Sequence, residues 1–210
     1  MDRKHRALIF DLDGTLWDTR EPVIRIWNDV FEEEGYGRPL TFPLLTSLMG
    51  KPMNAFGEAI FPDLEDDLRN RLVRQAEQQE NTRLLETGKD CLYPDTADTL
   101  RKLSCDHWIG IASNCQEGYI ETFLEVSKLG DVVDSFISNG ETGLDKDENL
   151  RTLMERNGLH FASYIGDTSG DRLSARKAGI PFIWCRYGFG NEVTPDGIDD
   201  LSQLPYVLTE

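Results

Sequence analysis

Three features of the sequence predict an α/β fold, a mostly parallel sheet core between helices with an all-helical insert after the first strand. A short apolar run at residues 7–10 ends in acids within ALIFDLDGT. A long following stretch carries only helical periodicity. After Gly88, short apolar runs alternate with helical patterns, as in βαβ units. The predicted core is residues 1–16 and 89–210, and the insert is residues 17–88.

Residues 7–13 read as a strand. Helical character then runs over residues 21–85, where Val23, Ile26, Trp27, Val30 and Phe31 form one apolar stripe at spacings of three and four. That spacing assigns Trp27 and Phe31 to the core of the insert. Residues 64–85 form a second long, charged helical pattern, and Pro39, Pro43, Pro52 and Pro62 punctuate the region before it. Beyond Gly88 the expected order is helix 96–103, strand 107–112, helix 116–129, strand 135–138, helix 147–157, strand 163–166, helix 170–178 and strand 181–185. The sequence carries no internal repeat.

The composition narrows the function. With 39% apolar and 29% charged residues, the 210-residue chain reads as an ordinary globular protein. Its formal net charge of -16 repels nucleic acid and anionic membrane surfaces, so neither is an expected partner. No apolar run approaches the ~20 residues of a membrane span, and residues 7–10 are too short for a signal-peptide core. A cytoplasmic location is expected. Cys91, Cys105, Cys115 and Cys185 are spaced unlike zinc ligands and read as mostly buried free thiols.

Ligands of open α/β sheets bind beyond the carboxyl ends of the strands, and those ends carry the polar groups here. The first ends in Asp11 and Asp13, the second in Ser113 and Asn114. The third leads through a loop to Lys146, and the fourth ends in Asp167 with Asp171 four residues on. If the strands are neighbours, these groups converge on one rim. Carboxylates crowded together repel, and a hard divalent cation such as Mg²⁺ relieves the repulsion while keeping waters for substrate oxygens. Lys146 and Ser113 suit phosphate oxygens, and a carboxylate can act as a nucleophile toward phosphorus. Each group also has a plainer reading. Asn114 can cap the following helix, Asp171 can face a helix dipole, and Lys51 can be a solvated surface lysine. Tyr187-Gly188-Phe189-Gly190 reads as a strand-exit turn near the rim.

Asp11-Leu12-Asp13-Gly14-Thr15, Ile111-Ala112-Ser113-Asn114, Lys146 and Gly166-Asp167-Thr168-Ser169-Gly170-Asp171 occur in the order of four motifs of the haloacid dehalogenase superfamily. The chain resembles its phosphoglycolate phosphatase and β-phosphoglucomutase branch. The resemblance implies a Rossmann-like core with a helical cap in place of the insert. It implies Asp11 as nucleophile, Asp13 as general acid/base, and Ser113, Asn114 and Lys146 as phosphate holders. Mg²⁺ would be held by Asp11, Asp13 (through its carbonyl) and Asp167, with Asp171 completing the metal site by supporting its water shell or Lys146. Lys51 lies where the branch places a substrate-facing cap loop. Two departures stand out. Asp147 follows Lys146 where relatives often have proline, and Asp95 stands where they often have glycine.

The expected activity is therefore a Mg²⁺-dependent phosphatase acting on a small phosphorylated metabolite through an aspartyl-phosphate, as a monomer or homodimer. The alternative is a sugar-phosphate mutase using the same aspartyl-phosphate. A dehalogenase fits less well, because Asp13 and Lys146 both point to phosphorus. A binding protein without turnover fits less well because no catalytic position is lost. No GxxxxGK[ST], GxGxxG or HExxH motif supports nucleotide or zinc-protease chemistry.

Overall fold

The structure, a computed structural model, describes residues 3–191 and 197–208. Its sheet contains β1 (Ala7–Phe10), β2 (Trp108–Ser113), β3 (Ser135–Ser138), β4 (Ala162–Gly166), β5 (Phe182–Cys185) and β6 (Gly197–Ile198), in the order β3-β2-β1-β4-β5-β6. Every pairing is parallel. The chain builds outward from β1 on one side, then returns to build outward on the other. This leaves a crevice beyond the carboxyl ends of β1 and β4, where ligands of such sheets bind.

Alternation along β1 explains how the sheet is covered. Leu8 and Phe10 join one core with Ile109, Ile111 and Ile165. Ala7 and Ile9 face the other core with Tyr164, Leu150, Leu153 and Ala175. The second core lies under α8 (Lys146–Asn157) and α9 (Ser169–Ala178). The first continues into α5 (Thr96–Leu103), α6 (Tyr119–Ser127) and the inserted helices.

The insert contains α1 (Arg20–Glu33), α2 (Phe42–Leu48), α3 (Met53–Ile60) and α4 (Asp66–Thr87). The stripe expected on α1 is buried throughout. Trp27 and Phe31 pack edge-on, and Phe56 and Phe61 extend the aromatic cluster. The prolines mark the breaks: Pro43 lies in the first turn of α2 and Pro52 is the residue before α3.

Several expectations need correction. The first strand stops at Phe10 rather than running to Asp13. Leu12 accepts from the Thr15 and Leu16 amides at 3.2 and 2.8 Å, and Gly14 takes φ +83°, so the chain turns out of the sheet. Asp13 therefore sits where the chain leaves the sheet. The short helices α7 (Asn139–Thr142) and α10 (Leu204–Val207), and the strand β6, carried too little periodicity to be anticipated. Only Cys115 and Cys185 are buried, while Cys105 is exposed. Asp147 lies in the first turn of α8, which Asp145 caps in a reciprocal pair with Glu148, and its carboxylate meets Arg151 at 2.6 Å and Lys177 at 3.5 Å. Asp95 has φ 61°, a left-handed conformation that glycine accepts readily and Asp tolerates better than most residues. No described helix is long and apolar enough to cross a membrane.

Candidate active site

The predicted rim groups meet at the carboxyl ends of β1, β2 and β4. Lys146 is the first residue of α8, so the capped helix start delivers its ammonium into the rim. Its Nζ lies 2.9 Å from Asp11 Oδ1 and 2.6 Å from Asp171 Oδ1, with all three side chains buried. Lys128 lies past the end of α6, exposed and paired with Glu125, which leaves Lys146 as the rim cation.

Asp171 is held from several sides. Thr168 gives its amide and hydroxyl to Oδ2 at 2.9 and 2.6 Å, and Tyr164 donates to Oδ1 at 3.4 Å. Both oxygens are thus engaged, and Asp171 anchors Lys146. It also completes a capping box at the start of α9, so the plainer reading of this residue is correct as well.

Asp167 follows β4 directly. Phe189 N–H donates to its Oδ2 at 2.6 Å, and Trp184 Nε1 donates to its carbonyl at 3.0 Å. The turn at residues 187–190 is therefore part of the site. Glycine is required there: a Cβ on Gly188 would lie 2.2 Å from Asp167 Cβ. A Cβ on Gly14 would lie 2.4 Å from Asp167 Oδ2.

Asp13 points elsewhere. Its Oδ1 accepts from Tyr119 Oη at 2.8 Å and from Thr19 Oγ1 at 3.2 Å. Ser113 is buried at the end of β2, with its hydroxyl accepting the Cys115 amide at 3.4 Å. Asn114 does not cap a helix. Its Nδ2 donates to the Gly50 carbonyl of the insert at 2.8 Å, and its Oδ1 is buried with no partner among the described residues. Lys51, beside Gly50, is exposed at the edge of the same cavity. That cavity measures about 40 Å³ and is lined by Asp11, Asp13, Ser113 and Asn114 from the core and by helices of the insert.

Burial drives the electrostatics. It pushes Asp13 up to about 6 against the hydrogen bonds of Tyr119 and Thr19. It also raises Asp11 well above the ordinary carboxylate range, with Asp171 and Asp167 adding to the effect and Lys146 opposing it. Asp167 is pushed up to about 7 by burial and by Asp171. For Asp171, burial is outweighed by Lys146 and Thr168, so it is held below the usual range. The rim therefore has more buried acid than its lysine compensates. Oxygens of Asp11, Asp167 and Asp171 lie within 4.8 Å of one another. An all-carboxylate donor set of that size suits a hard cation such as Mg²⁺.

Sequence reasoning missed Thr19, Tyr119, Tyr164, Trp184 and Glu80. Each reaches the site through tertiary packing, and none stands in a diagnostic local pattern. The closest local signal was the turn at residues 187–190, marked by its two glycines.

Fold and site together define an α/β protein whose buried carboxylates and lysine sit at the crevice of a parallel sheet. The profile of the haloacid dehalogenase-like hydrolase family matches residues 8–185, and the chain belongs to that family. It is similar to a phosphoglycolate phosphatase of Agrobacterium fabrum, 30% identical over 96% of this chain and 91% of that protein. A phosphoglycolate phosphatase of Aliivibrio fischeri is 25% identical over 97% of this chain and 95% of its own length. A haloacid dehalogenase-like family hydrolase from Streptococcus pneumoniae shares the fold with a TM-score of 0.79, at 22% identity over 98% of this chain and 99% of that one.

Proposed function

We propose that this phosphoric monoester hydrolase is a Mg²⁺-dependent phosphatase acting on a small phosphorylated metabolite through an aspartyl-phosphate on Asp11. The observation that carries the proposal is the buried triad in which Lys146 bridges Asp11 and Asp171 while Asp167 stands within 4.8 Å. Such an excess of buried acid costs stability unless a further cation meets it. The similarity to phosphoglycolate phosphatases supports phosphate ester chemistry.

In this reading an Asp11 oxygen attacks phosphorus, and the bond to the leaving oxygen breaks. Asp13, poised near 6, gives its proton to that oxygen. It then takes a proton from water, whose oxygen attacks the aspartyl-phosphate and returns the Asp11 carboxylate and inorganic phosphate. Tyr119 and Thr19 hold Asp13 in place throughout. Lys146 and Ser113 neutralise and orient phosphoryl oxygens. Asp11, Asp167 and the Asp13 carbonyl would hold Mg²⁺, which neutralises charge on the phosphoryl group. Asp171 contributes by anchoring Lys146. Residues 17–88 act as a cap that closes over the site and keeps bulk water out. Contacts that seat it include Asn114 on Gly50 and Asn81 Nδ2 on the Glu117 carbonyl at 2.9 Å.

The test is phosphate release from a panel of phosphomonoesters with Mg²⁺ and then with excess chelator, for the native chain and Asp11→Asn. Release that needs both Mg²⁺ and Asp11 is expected. Release unaffected by chelator would refute the metal assignment. Isomerisation of a sugar phosphate without net release would make the enzyme a mutase.

A further inference from the structure

We propose that Glu80, together with the Asn114 Oδ1, selects a leaving group carrying a hydroxyl rather than a carboxylate, so that the substrate is the phosphate ester of a short polyhydroxy compound. The inference rests on the phosphatase reading above and deepens it.

The part of the cavity away from Asp11 is built by the insert. Its walls are largely apolar, formed by Val23, Trp27, Leu45, Met49, Met53 and Phe56. One carboxyl, Glu80 of α4, enters this lining and is only 4% exposed. An acid in such surroundings is costly, and a packing role alone does not call for one. Trp27 Nε1 donates to its Oε2, and the Gln116 amide also hydrogen-bonds the carboxyl, which fixes its orientation in the lining. In the same lining, the Asn114 amide is oriented by its bond to Gly50, and this leaves its oxygen buried without a donor among the described residues. A buried acceptor without a partner marks a position for a ligand's donor.

The chemistry of this lining favours hydroxyls. Burial pushes Glu80 up to about 8, so near neutral pH it is a carboxylic acid that both donates and accepts. A neutral acid and an amide oxygen match a hydroxyl, which also does both. A substrate carboxylate would instead face an unpaired amide oxygen and the acids of the rim. Lys51, the cation that lines this cavity from the insert, is exposed at its edge, where its attraction is screened. The curated relatives above are named for a substrate with a carboxylate; this pocket lining points to a different leaving group.

The test compares kcat/KM for glycerol phosphate and for phosphoglycolate, with Mg²⁺, in the native enzyme, Glu80→Gln and Glu80→Leu. The native enzyme is expected to favour glycerol phosphate at least tenfold. Glu80→Gln keeps an acceptor for Trp27 and a donor for the ligand, and should stay within about threefold of that preference. Glu80→Leu should lose most of it, mainly through a higher KM for glycerol phosphate. The native comparison stands even if Glu80→Leu fails to fold. Preference for phosphoglycolate, or an equal loss on both substrates in Glu80→Leu, would overturn the assignment while leaving the phosphatase reading intact. No release from either ester or from a wider panel would overturn both.

Discussion

Lys146→Met removes the cation at the centre of the rim and keeps the length of the side chain. Nζ is 2.9 Å from Asp11 and 2.6 Å from Asp171, and all three groups are buried. Taking one partner from a buried ion pair costs about 3–5 kcal/mol, because the remaining charge is left uncompensated. For a chain of this size each kcal/mol lowers Tm by about 2–4 °C, so the expected drop is roughly 6–20 °C. The sign with pH follows from Asp171, whose carboxyl is held below its ordinary range by Lys146 and Thr168 against burial. Its stabilisation is present above the unfolded-state pKa and is lost as pH falls through the lower folded value. The gap between native and variant should therefore be wide at pH 8 and shrink only as pH falls below about 4, toward pH 3. Thermal unfolding followed by circular dichroism in chelator, at both pH values, measures it. Excess Mg²⁺ should recover part of the loss at pH 8 by neutralising Asp11 and Asp167. An unchanged or higher Tm in chelator at pH 8 would refute the claim that Lys146 compensates these acids.

Two other substitutions probe the site's supports. Tyr119→Phe removes the 2.8 Å donor to Asp13, a bond that lowers the Asp13 pKa, so the Asp13 limb of the pH–rate profile should move upward by about 1 pH unit; an unmoved limb would separate Asp13 from that limb. Gly188→Ala places a methyl 2.2 Å from Asp167 Cβ and 2.5 Å from the Gly14 carbonyl oxygen. Displacing Asp167 should lower kcat on the order of 100-fold with a stability cost of about 1–3 kcal/mol, and near-native kcat would show that the exact position of Asp167 matters little.

The sequence was most informative where function depends on residue type within a few positions. Asp11, Ser113, Lys146 and Asp167 were readable because strand ends and helix starts are local patterns. That these ends face one rim depended on the strands being neighbours, which the apolar runs left open and the sheet order settles. The stripe on α1 and the proline breaks, also local patterns, were legible. The end of the first strand was not, because Gly14 and the Leu12 carbonyl turn the chain before the alternation would show it.

Which atoms meet was decided by packing across long stretches of chain. Tyr119 reaches Asp13 over 106 positions, and Lys146 reaches Asp11 over 135. The resemblance left Asp171 serving the metal's water shell or Lys146, and only packing turns its two oxygens to Lys146 and Thr168. Glu80 reads as one more acid on a charged helix until the burial of α4 places it in the cavity lining. Local pattern and turn chemistry act within a few residues, so the sequence by itself determined the elements and the set of chemical groups. The direction of each side chain, and the neighbours that set its charge, depend on contacts that exist only once the sheet and the inserted helices have closed on one another.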